Sequence, residues 1–448
     1  MISFFMSKSN YMFKNNNYLI SIFLLFTSSL FAQKSEIETK ILSSVDNHEQ
    51  SSIELLKKIV NINSGTMNFD GVKMVGNVLM EEFKALGMNA YMTSGESFNR
   101  AGHLIATNDS NKGPHILLIG HLDTVFEPSS PFQNYTMIND STMNGPGVAD
   151  MKGGDVIILL TLKALKDAGI LDQVSVKVVM TGDEEKSGSP LNLSKKELID
   201  ASAWADIALG FENADGLPET VVINRRGSTS WELKVEGKAG HSSQVFTDDI
   251  GNGAIYEVSR ILTEFYNRLS NEENLTFNPG VILGGTDVQI EDGVNGGKAF
   301  GKTNVVAQKV IVKGDLRAVS LKQLHHAKKI MDEVVNDNYP GTSATLTFDK
   351  DGGYPPFSST SGNELLMNIY SSVSQHLGYG PVTAVNPRDA GAADISFTSG
   401  LVNMAIDGLG LSGSNDHSIN ETGNLNMLSV QAKRAAILIY RLSNKQGK

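Results

Sequence analysis

The sequence predicts an α/β fold, with a mostly parallel sheet flanked by helices and an inserted ferredoxin-like domain. Apolar strands alternate with amphipathic helices in the first half, the order changes to βαββαβ after residue 222, and the first pattern resumes after residue 352. A chain of 448 residues, 40% of them hydrophobic, can fill two cores, since a single core rarely serves more than about 250–300 residues.

The elements of the first part follow from the spacing of its apolar residues. Residues 51–60 and 71–86 repeat apolar side chains with the period of an α-helix, and so do residues 156–168. His115–Gly120 and Val174–Thr181 are apolar runs of strand length. Because strands joined through helices run parallel, we expect ligands to bind at the carboxyl ends of these strands.

The inserted domain is predicted from a different order of elements. Strands are expected at 228–236, 280–290, 304–316 and 343–349, and helices at 251–268 and 320–336. A helix over 364–377, a short strand at 402–406 and a helix over 429–442 then return to the first pattern. We divide the chain into a leader (1–33), a main domain in two parts (34–222 and 353–448) and an inserted domain (223–352).

The N-terminal leader predicts export. The segment 18–31 is strongly apolar, follows Lys8 and Lys14, and ends where the chain turns polar at Ala32-Gln33, as in a secretory signal peptide. This apolar run is short for a membrane span. We therefore expect a periplasmic or secreted protein whose mature form has no membrane segment, with a buried or interfacial helix as the alternative.

The composition argues against several classes of function. A formal net charge of -11 and the lack of a long Lys/Arg tract disfavour nucleic-acid binding. The absence of cysteine excludes disulfides, thiolate metal sites and cysteine nucleophiles. An anionic substrate must therefore be bound by local arginines.

Several polar residues that suit a metal centre stand at the ends of apolar runs or in glycine-rich loops. They are, in chain order, His121, Asp123, Asp150, Glu184, Glu185, Glu212 and His417. Imidazole and carboxylate ligands from separate elements suit a hydrolytic zinc centre, although such ligands also accept cobalt or manganese.

Each of these motifs has an alternative structural interpretation. Asp150 lies in GPGVADMKGG (145–154), where flanking glycines would let its carboxylate bridge two cations, but it could simply cap a helix. The adjacent Glu184 and Glu185 repel each other unless a cation or proton neutralises one, but they could form a solvated acidic turn. Asp123 could orient the ring of His121, although an isolated His-x-Asp pair is a weak signal.

Four motifs in this order resemble the zinc aminoacylase and carboxypeptidase family. They are GHLDTV (120–125), GVADMKGG (147–154), GDEE (182–185) and GHSS (240–243). The family includes glutamate carboxypeptidases, acetylornithine deacetylases and succinyl-diaminopimelate desuccinylases, and the resemblance extends from about residue 51 to residue 442.

The resemblance implies two Zn²⁺ ions that share one carboxylate, with Co²⁺ or Mn²⁺ as substitutes. His121, Asp150 and Glu212 would bind one ion, and Asp150, Glu185 and His417 the other. The family also places a cis peptide bond directly after the bridging aspartate.

The resemblance further implies roles for five residues beside the metal ligands. Glu184 would be the general base, and Asp123 would orient the metal-binding histidine. His241 would polarise the scissile carbonyl, often from the partner subunit of a dimer, while Asn304 and Arg317 would hold the carboxylate of the substrate. A turn histidine and a salt bridge within its own strand are the alternatives for His241 and Arg317.

We therefore expect an exopeptidase that releases a C-terminal, glutamate-like residue from a small peptide. An N-acyl amino-acid deacylase is the main alternative, and a catalytically inactive binding protein on the same scaffold is a third. The inserted domain would close over the site through a hinge near Val222 and Gly352, and its exposed face would either form a homodimer or stay solvated. The run Gly391-Ala392-Ala393 replaces a more polar one of the family and would border the substrate cavity.

Overall fold

The computed structural model describes residues 35–108, 110–291, 296–351 and 353–444. The predicted leader, residues 1–33, lies outside these ranges, so the prediction of a signal peptide stays a prediction. Within the described ranges, no helix combines the length and the apolar character needed to cross a membrane.

The secondary structure of the described residues alternates strands and helices along most of the chain. The helices are α1 (Glu36–Val60), α2 (Phe69–Ala85), α3 (Gly153–Asp167), α4 (Leu191–Ser194), α5 (Lys196–Trp204), α6 (Gly253–Leu269), α7 (Leu321–Asn336), α8 (Ser361–Leu377) and α9 (Asn426–Asn444). The strands are β1 (Asn89–Met92), β2 (Leu104–Thr107), β3 (His115–His121), β4 (Thr136–Met137), β5 (Thr142–Asn144), β6 (Ser175–Thr181), β7 (Ile207–Gly210), β8 (Thr220–Val221), β9 (Gly227–Gly237), β10 (Thr276–Gly285), β11 (Asp287–Ile290), β12 (Gly297–Phe300), β13 (Lys309–Ala318), β14 (Thr342–Phe348), β15 (Thr383–Ala384), β16 (Met404–Ile406), β17 (Gly413–Ser414) and β18 (Thr422–Asn424).

The main sheet confirms the predicted α/β class. Its strand order is β1-β2-β6-β3-β7-β16, in which β6, β3, β7 and β16 pair in parallel while β1 and β2 form an antiparallel edge. Along β3, Ile116 and Leu118 belong to the core with α1, α3 and α9, while Leu117 and Ile119 belong to the core with α5. Both faces of the sheet are therefore covered, which explains the uninterrupted apolar runs of its central strands.

Helix α1 begins earlier than the sequence pattern predicts. The Ser35 hydroxyl accepts a hydrogen bond from the Glu38 amide at 3.1 Å, and the Glu38 carboxylate accepts one from the Ser35 amide at 3.2 Å. This reciprocal capping box fixes the first turn. Ile41 and Val45 then continue the buried face toward residue 60, so the apolar stripe is longer than the predicted 51–60.

The inserted segment is ferredoxin-like, as predicted. Its antiparallel sheet has the order β14-β9-β13-β10, with connectivity βαββαβ through α6 and α7. Trp231, Phe265, Val312 and Met331 lie in a separate core between this sheet and the two helices. The alternating burial along β9 shows that the other face of the sheet is left to polar side chains.

Two strand predictions in this segment are wrong at their boundaries. The predicted strand 280–290 is two strands, β10 and β11, because β12 folds back on β11 and passes so close that a Cβ on Gly285 would lie 2.5 Å from the Phe300 carbonyl. The predicted strand 304–316 begins only at Lys309. The residues before it pair instead with the turn that holds His241, where the Ser242 amide donates to the Asn304 carbonyl at 2.9 Å.

Two adjacent backbone segments connect the inserted sheet to the main sheet. Arg225 pairs with Phe357 and Ser228 pairs with Tyr354, both in antiparallel orientation. Val222, at the predicted hinge, exchanges two backbone hydrogen bonds with Asp407 at 2.8 and 2.9 Å. Gly352, the other predicted hinge residue, lies outside the described ranges, and the hinge itself stays a prediction.

Replacing Phe265 with alanine should destabilise the inserted core. Its ring is fully buried and meets Trp231 edge-on, with 6.1 Å between ring centroids. We expect Phe265→Ala to lower the free energy of unfolding by about 3–5 kcal/mol, measured by urea denaturation with tryptophan fluorescence. The neighbouring Tyr266 is 65% exposed, so Tyr266→Ala is the matched control and should change stability by less than about 0.5 kcal/mol. Equal effects of the two changes would contradict this description of the core.

Candidate metal centre

The parallel part of the main sheet places four of the predicted residues at one edge. Strand β3 ends at His121, β7 ends two residues before Glu212, and β6 ends at Thr181, just before the acidic pair. Since β6, β3 and β7 are neighbours with the same direction, their carboxyl ends lie side by side. The remaining ligand candidates reach this edge from loops.

Five of the predicted residues form two overlapping groups. His121, Asp150 and Glu212 form one group and Asp150, Glu185 and His417 the other, and the ligand atoms within each group lie within 4.8 Å of one another. Asp150 directs Oδ1 toward His121 Nε2 at 3.1 Å and Oδ2 toward His417 Nε2 at 3.1 Å. Glu212 lies 3.4 Å from His121 Nε2, and Glu185 lies 3.2 Å from His417 Nε2. One carboxylate thus faces both groups through different oxygens.

The loop that carries Asp150 is held by a glutamate that sequence reasoning missed. The Glu421 carboxylate accepts hydrogen bonds from the backbone amides of Gly147, Ala149 and Asp150 at 3.0, 2.9 and 3.1 Å. Pairing of β18 with β5 brings Glu421 to this loop from 271 residues away. Gly147 has a positive φ of 73°, which a side chain would strain, and the bond from Asp150 to Met151 is cis, as the resemblance implies.

Asp150 does not act as the helix cap that was its alternative interpretation. Helix α3 begins only at Gly153, its N-cap position is Lys152, and no side chain caps it. Its side chain points instead to the two histidines.

Asp123 contacts both His121 and the acidic pair, whereas the sequence predicted only a contact with His121. The nearest acceptor for His121 Nδ1 is the backbone carbonyl of Asp123 at 3.0 Å, whereas the carboxylate lies at 3.5 Å. The carboxylate accepts hydrogen bonds from the amides of Glu184 and Glu185 at 3.0 and 3.2 Å and from the Thr66 hydroxyl at 2.6 Å. Asp123 therefore fixes the position of the Glu184-Glu185 backbone as well as the orientation of the imidazole.

The electrostatics of the cluster fit divalent cations. Burial raises the pKa of Glu184 well above its usual range, and burial together with the charge of Asp150 raises that of Glu185 to about 7. Hydrogen bonds to Asp150 and Glu185 raise the pKa of His417 to about 11. Without an ion, the excess of carboxylates is thus neutralised by protons, and divalent cations would replace these protons.

Two further features fit a bound ion. The Oε1 atom of Glu185 is buried and has no hydrogen-bond partner among the described residues. His417 is 56% exposed and, like Asn415, has a positive φ of 59°. Such left-handed conformations of non-glycine residues are costly and are typical of functional loops.

A buried lysine network lies behind the acidic pair and was also missed. Lys195 Nζ is 3.0 Å from carboxylate oxygens of both Asp183 and Asp394. The Tyr354 hydroxyl contacts Asp394 at 3.3 Å and donates a hydrogen bond to the Glu184 carbonyl at 2.9 Å. Asp183 therefore belongs to the buried support of the acidic turn and is not a solvated charge.

A second buried ion pair supports Glu212. Arg225 Nε donates to Asp407 Oδ2 at 2.8 Å, and Asp407 Oδ1 accepts a hydrogen bond from the Glu212 amide at 3.3 Å. No local pattern in the sequence indicates this pair, because Arg225 and Asp407 are 182 residues apart in the chain.

The substrate-binding candidates of the inserted domain lie apart from this cluster. His241 and Asn304 are exposed and adjacent, and His241 Nδ1 contacts the Ser243 hydroxyl at 2.8 Å. Arg317 Nε donates to Asp315 at 2.8 Å, the salt bridge that was its alternative interpretation. Among the described residues, none of the three contacts a member of the two metal-binding groups, so their roles stay predictions.

The chain is similar to known hydrolases. The model of peptidase family M20/M25/M40 matches residues 117–441. Carboxypeptidase G2 of Pseudomonas sp. (strain RS-16) is 25% identical over 380 residues, which cover 84% of this chain and 86% of that protein. A probable succinyl-diaminopimelate desuccinylase of Staphylococcus aureus (strain MSSA476) is 25% identical over 295 residues, or 61% of this chain and 69% of that protein.

A solved structure shows the same fold. The aminopeptidase PepT from Bacillus cereus ATCC 10987 superposes with a TM-score of 0.71 at 18% identity, covering 88% of this chain and 99% of that chain.

The shared position of Asp150 predicts how metal content responds to mutation. We expect Asp150→Asn to lower the affinity for both ions and Glu212→Gln to lower the affinity for one, measured by elemental analysis after dialysis against a metal buffer. Chelation should lower the melting temperature of the parent protein, because bound ions stabilise only the folded state. Asp200→Asn, at an exposed position of α5, is the control and should change neither the metal content nor the melting temperature. Full metal content in Asp150→Asn would contradict a shared ligand.

Proposed function

Because the chain belongs to peptidase family M20/M25/M40, whose model matches most of it, we propose that it is a di-zinc exopeptidase that releases the C-terminal residue of small peptides. Family membership makes it a metal-dependent hydrolase. The observation that best supports the proposal is the pair of ligand groups that share Asp150, with a further carboxylate, Glu184, beside them.

The ligand chemistry supports zinc. Two imidazoles and three carboxylates, in a chain without cysteine, form a set that zinc accepts readily and that cobalt or manganese also accepts. When bound, the ions would polarise the scissile carbonyl and make a water molecule more acidic.

The contacts of Glu184 support a role as the general base. It belongs to neither ligand group, and its backbone is held on both sides, by Asp123 at the amide and by Tyr354 at the carbonyl. It would take a proton from the attacking water and return it to the nitrogen of the leaving amine.

The inserted domain supports a proposal of homodimerisation. Helix α6 exposes Ile255 and Tyr256, and the edge strand β10 exposes Ile282. A Cβ on Gly284 of β10 would lie 3.7 Å from Ile255, so α6 and this end of β10 are adjacent. We propose that this face pairs with its copy and that His241 then serves the site of the partner subunit. Analytical ultracentrifugation of the parent and of Tyr256→Glu would test it, and a monomeric parent protein would contradict it.

A deacylase remains the second candidate. The name of the desuccinylase relative describes cleavage of an acyl group from an amino acid, which the same type of metal centre can perform. Similarity to that relative therefore does not favour peptides over N-acyl amino acids. The proposed export favours a peptide substrate. N-terminal sequencing of the protein purified from its host tests export, and an intact leader would contradict it.

A substrate panel distinguishes the two candidates. We expect the zinc-reconstituted protein to hydrolyse blocked dipeptides with a free C-terminal carboxylate at least about tenfold faster, in kcat/KM, than N-acetyl or N-succinyl amino acids. Release of amino acids is measured by chromatography. Faster cleavage of the N-acyl amino acids would favour the deacylase.

Glu184→Gln should abolish turnover while preserving the metal site. Removal of a general base costs roughly 10²–10⁴-fold in kcat, whereas the two ligand groups stay intact. The measurements are kcat on the best panel substrate and metal content by elemental analysis. Lys186→Gln, at an exposed position two residues later, is the matched control and should keep kcat near the parent value. Retained activity in Glu184→Gln would reject its role.

A further inference from the structure

Three arginines meet where the inserted sheet joins the main domain. Arg226 Nη2 donates to the backbone carbonyl of Arg388 at 3.1 Å, and its Nη1 donates to the Thr276 hydroxyl at 2.9 Å. Thr276 lies directly opposite Arg317 in the pairing of β10 with β13. Arg226 thus spans from a strand of the inserted sheet to a loop of the main domain.

These arginines have donors without partners among the described residues. Arg226 Nε is buried and unpaired. Arg317 uses only Nε, on Asp315, and the guanidinium of Arg388 makes no hydrogen bond or ion pair within the described ranges. Three guanidinium groups therefore face two nearby carboxylates, Asp315 and Asp389.

The charge balance of this cluster is positive although the whole chain is acidic. Burial, together with the charges of Arg317 and Arg388, lowers the pKa of Arg226, and the charges of Asp315 and Asp389 only partly oppose this. An anion bound here would relieve the repulsion between the guanidinium groups.

The cluster lies beside the candidate catalytic site. Thr276, Arg317, Ser228 and Tyr354 form one row across the inserted sheet, so their side chains share a face. With neighbouring strands about 4.8 Å apart, Arg317 lies about 10 Å along this row from Tyr354. The hydroxyl of Tyr354 is itself 2.9 Å from the Glu184 carbonyl.

The loop that carries Arg388 is anchored to the same site. Arg225 Nη1 donates to the Gly391 carbonyl at 2.8 Å, and Asp394, three residues further, contacts Lys195 and Tyr354. Small side chains fill the loop between these anchors, in the run Gly391-Ala392-Ala393. A Cβ on Gly391 would meet no atom within 4 Å, so the loop is open at this position.

We propose that Arg226 and Arg388 complete, with Arg317, a site across the two domains for a second carboxylate of the substrate. This assignment rests on the proposed exopeptidase function. Arg317 binds the carboxylate at the C-terminus, and the other two select a released residue with an acidic side chain. Planar guanidinium groups with free donors suit this task, because they bind a carboxylate through two parallel hydrogen bonds.

The test compares two nearly isosteric substrates, a blocked dipeptide ending in glutamate and the same dipeptide ending in glutamine. In the zinc-reconstituted full chain, we expect Arg388→Gln and Arg226→Gln to lower kcat/KM for the glutamate peptide roughly 10- to 100-fold, mainly through KM. The glutamine peptide should change by less than about twofold. Arg388 is exposed and has no side-chain partner among the described residues, so this variant tests the proposal even if Arg226→Gln does not fold.

Arg268→Gln, at an exposed position of α6, is the matched control and should leave kcat/KM for both peptides unchanged. Equal losses on both peptides, or no loss on either, would overturn the assignment.

Calorimetric binding of free glutamate and glutamine to zinc-loaded Glu184→Gln separates this proposal from the proposed function. If no peptide is cleaved, the exopeptidase proposal fails. Tighter binding of glutamate than of glutamine would still support the anion site, provided that adding Arg388→Gln abolishes the difference. Equal binding of the two amino acids overturns the anion site even where peptides are cleaved.

Discussion

The shared carboxylate of Asp150 is the constraint on which the rest of the site depends. It presents one oxygen to His121 and the other to His417, and so it joins ligands from the two ends of the chain. Burying this carboxylate beside Glu185 and Glu212 costs free energy unless cations or protons neutralise the cluster. Metal binding and the ordering of this edge of the sheet are therefore coupled.

Three further carboxylates hold the backbone segments that carry the ligand candidates. Asp123, Asp407 and Glu421 belong to neither metal-binding group, and each accepts backbone amide hydrogen bonds from a segment that holds a ligand. A carboxylate that accepts several amides fixes a loop more firmly than packing alone, because each charge-assisted bond is directional. The segments that carry the ligand candidates are thus held by hydrogen bonds within the protein in addition to any bound ion, which suits a hydrolytic centre.

The boundary between the two sheets is connected to this centre by hydrogen bonds. Arg225 reaches Asp407 and thereby Glu212, while Tyr354 reaches the carbonyl of Glu184. Both residues lie on the paired segments that connect the inserted sheet to the main one. A movement of the inserted domain would therefore shift both a ligand candidate, Glu212, and the proposed general base, Glu184. Recognition by arginines at this boundary would use the same connection.

The sequence by itself determined the fold class, the order of elements and the set of ligand candidates, because apolar periodicity and the polar residues at strand ends are local signals. It did not reveal Glu421, Lys195 or the Arg225 pair, and it misplaced the strands around residues 286 and 304. Only the tertiary structure decided these features, because each depends on which distant segments approach closely enough to exchange hydrogen bonds. Such long-range contacts leave no periodic trace in the chain, whereas burial of one face of a helix or strand does.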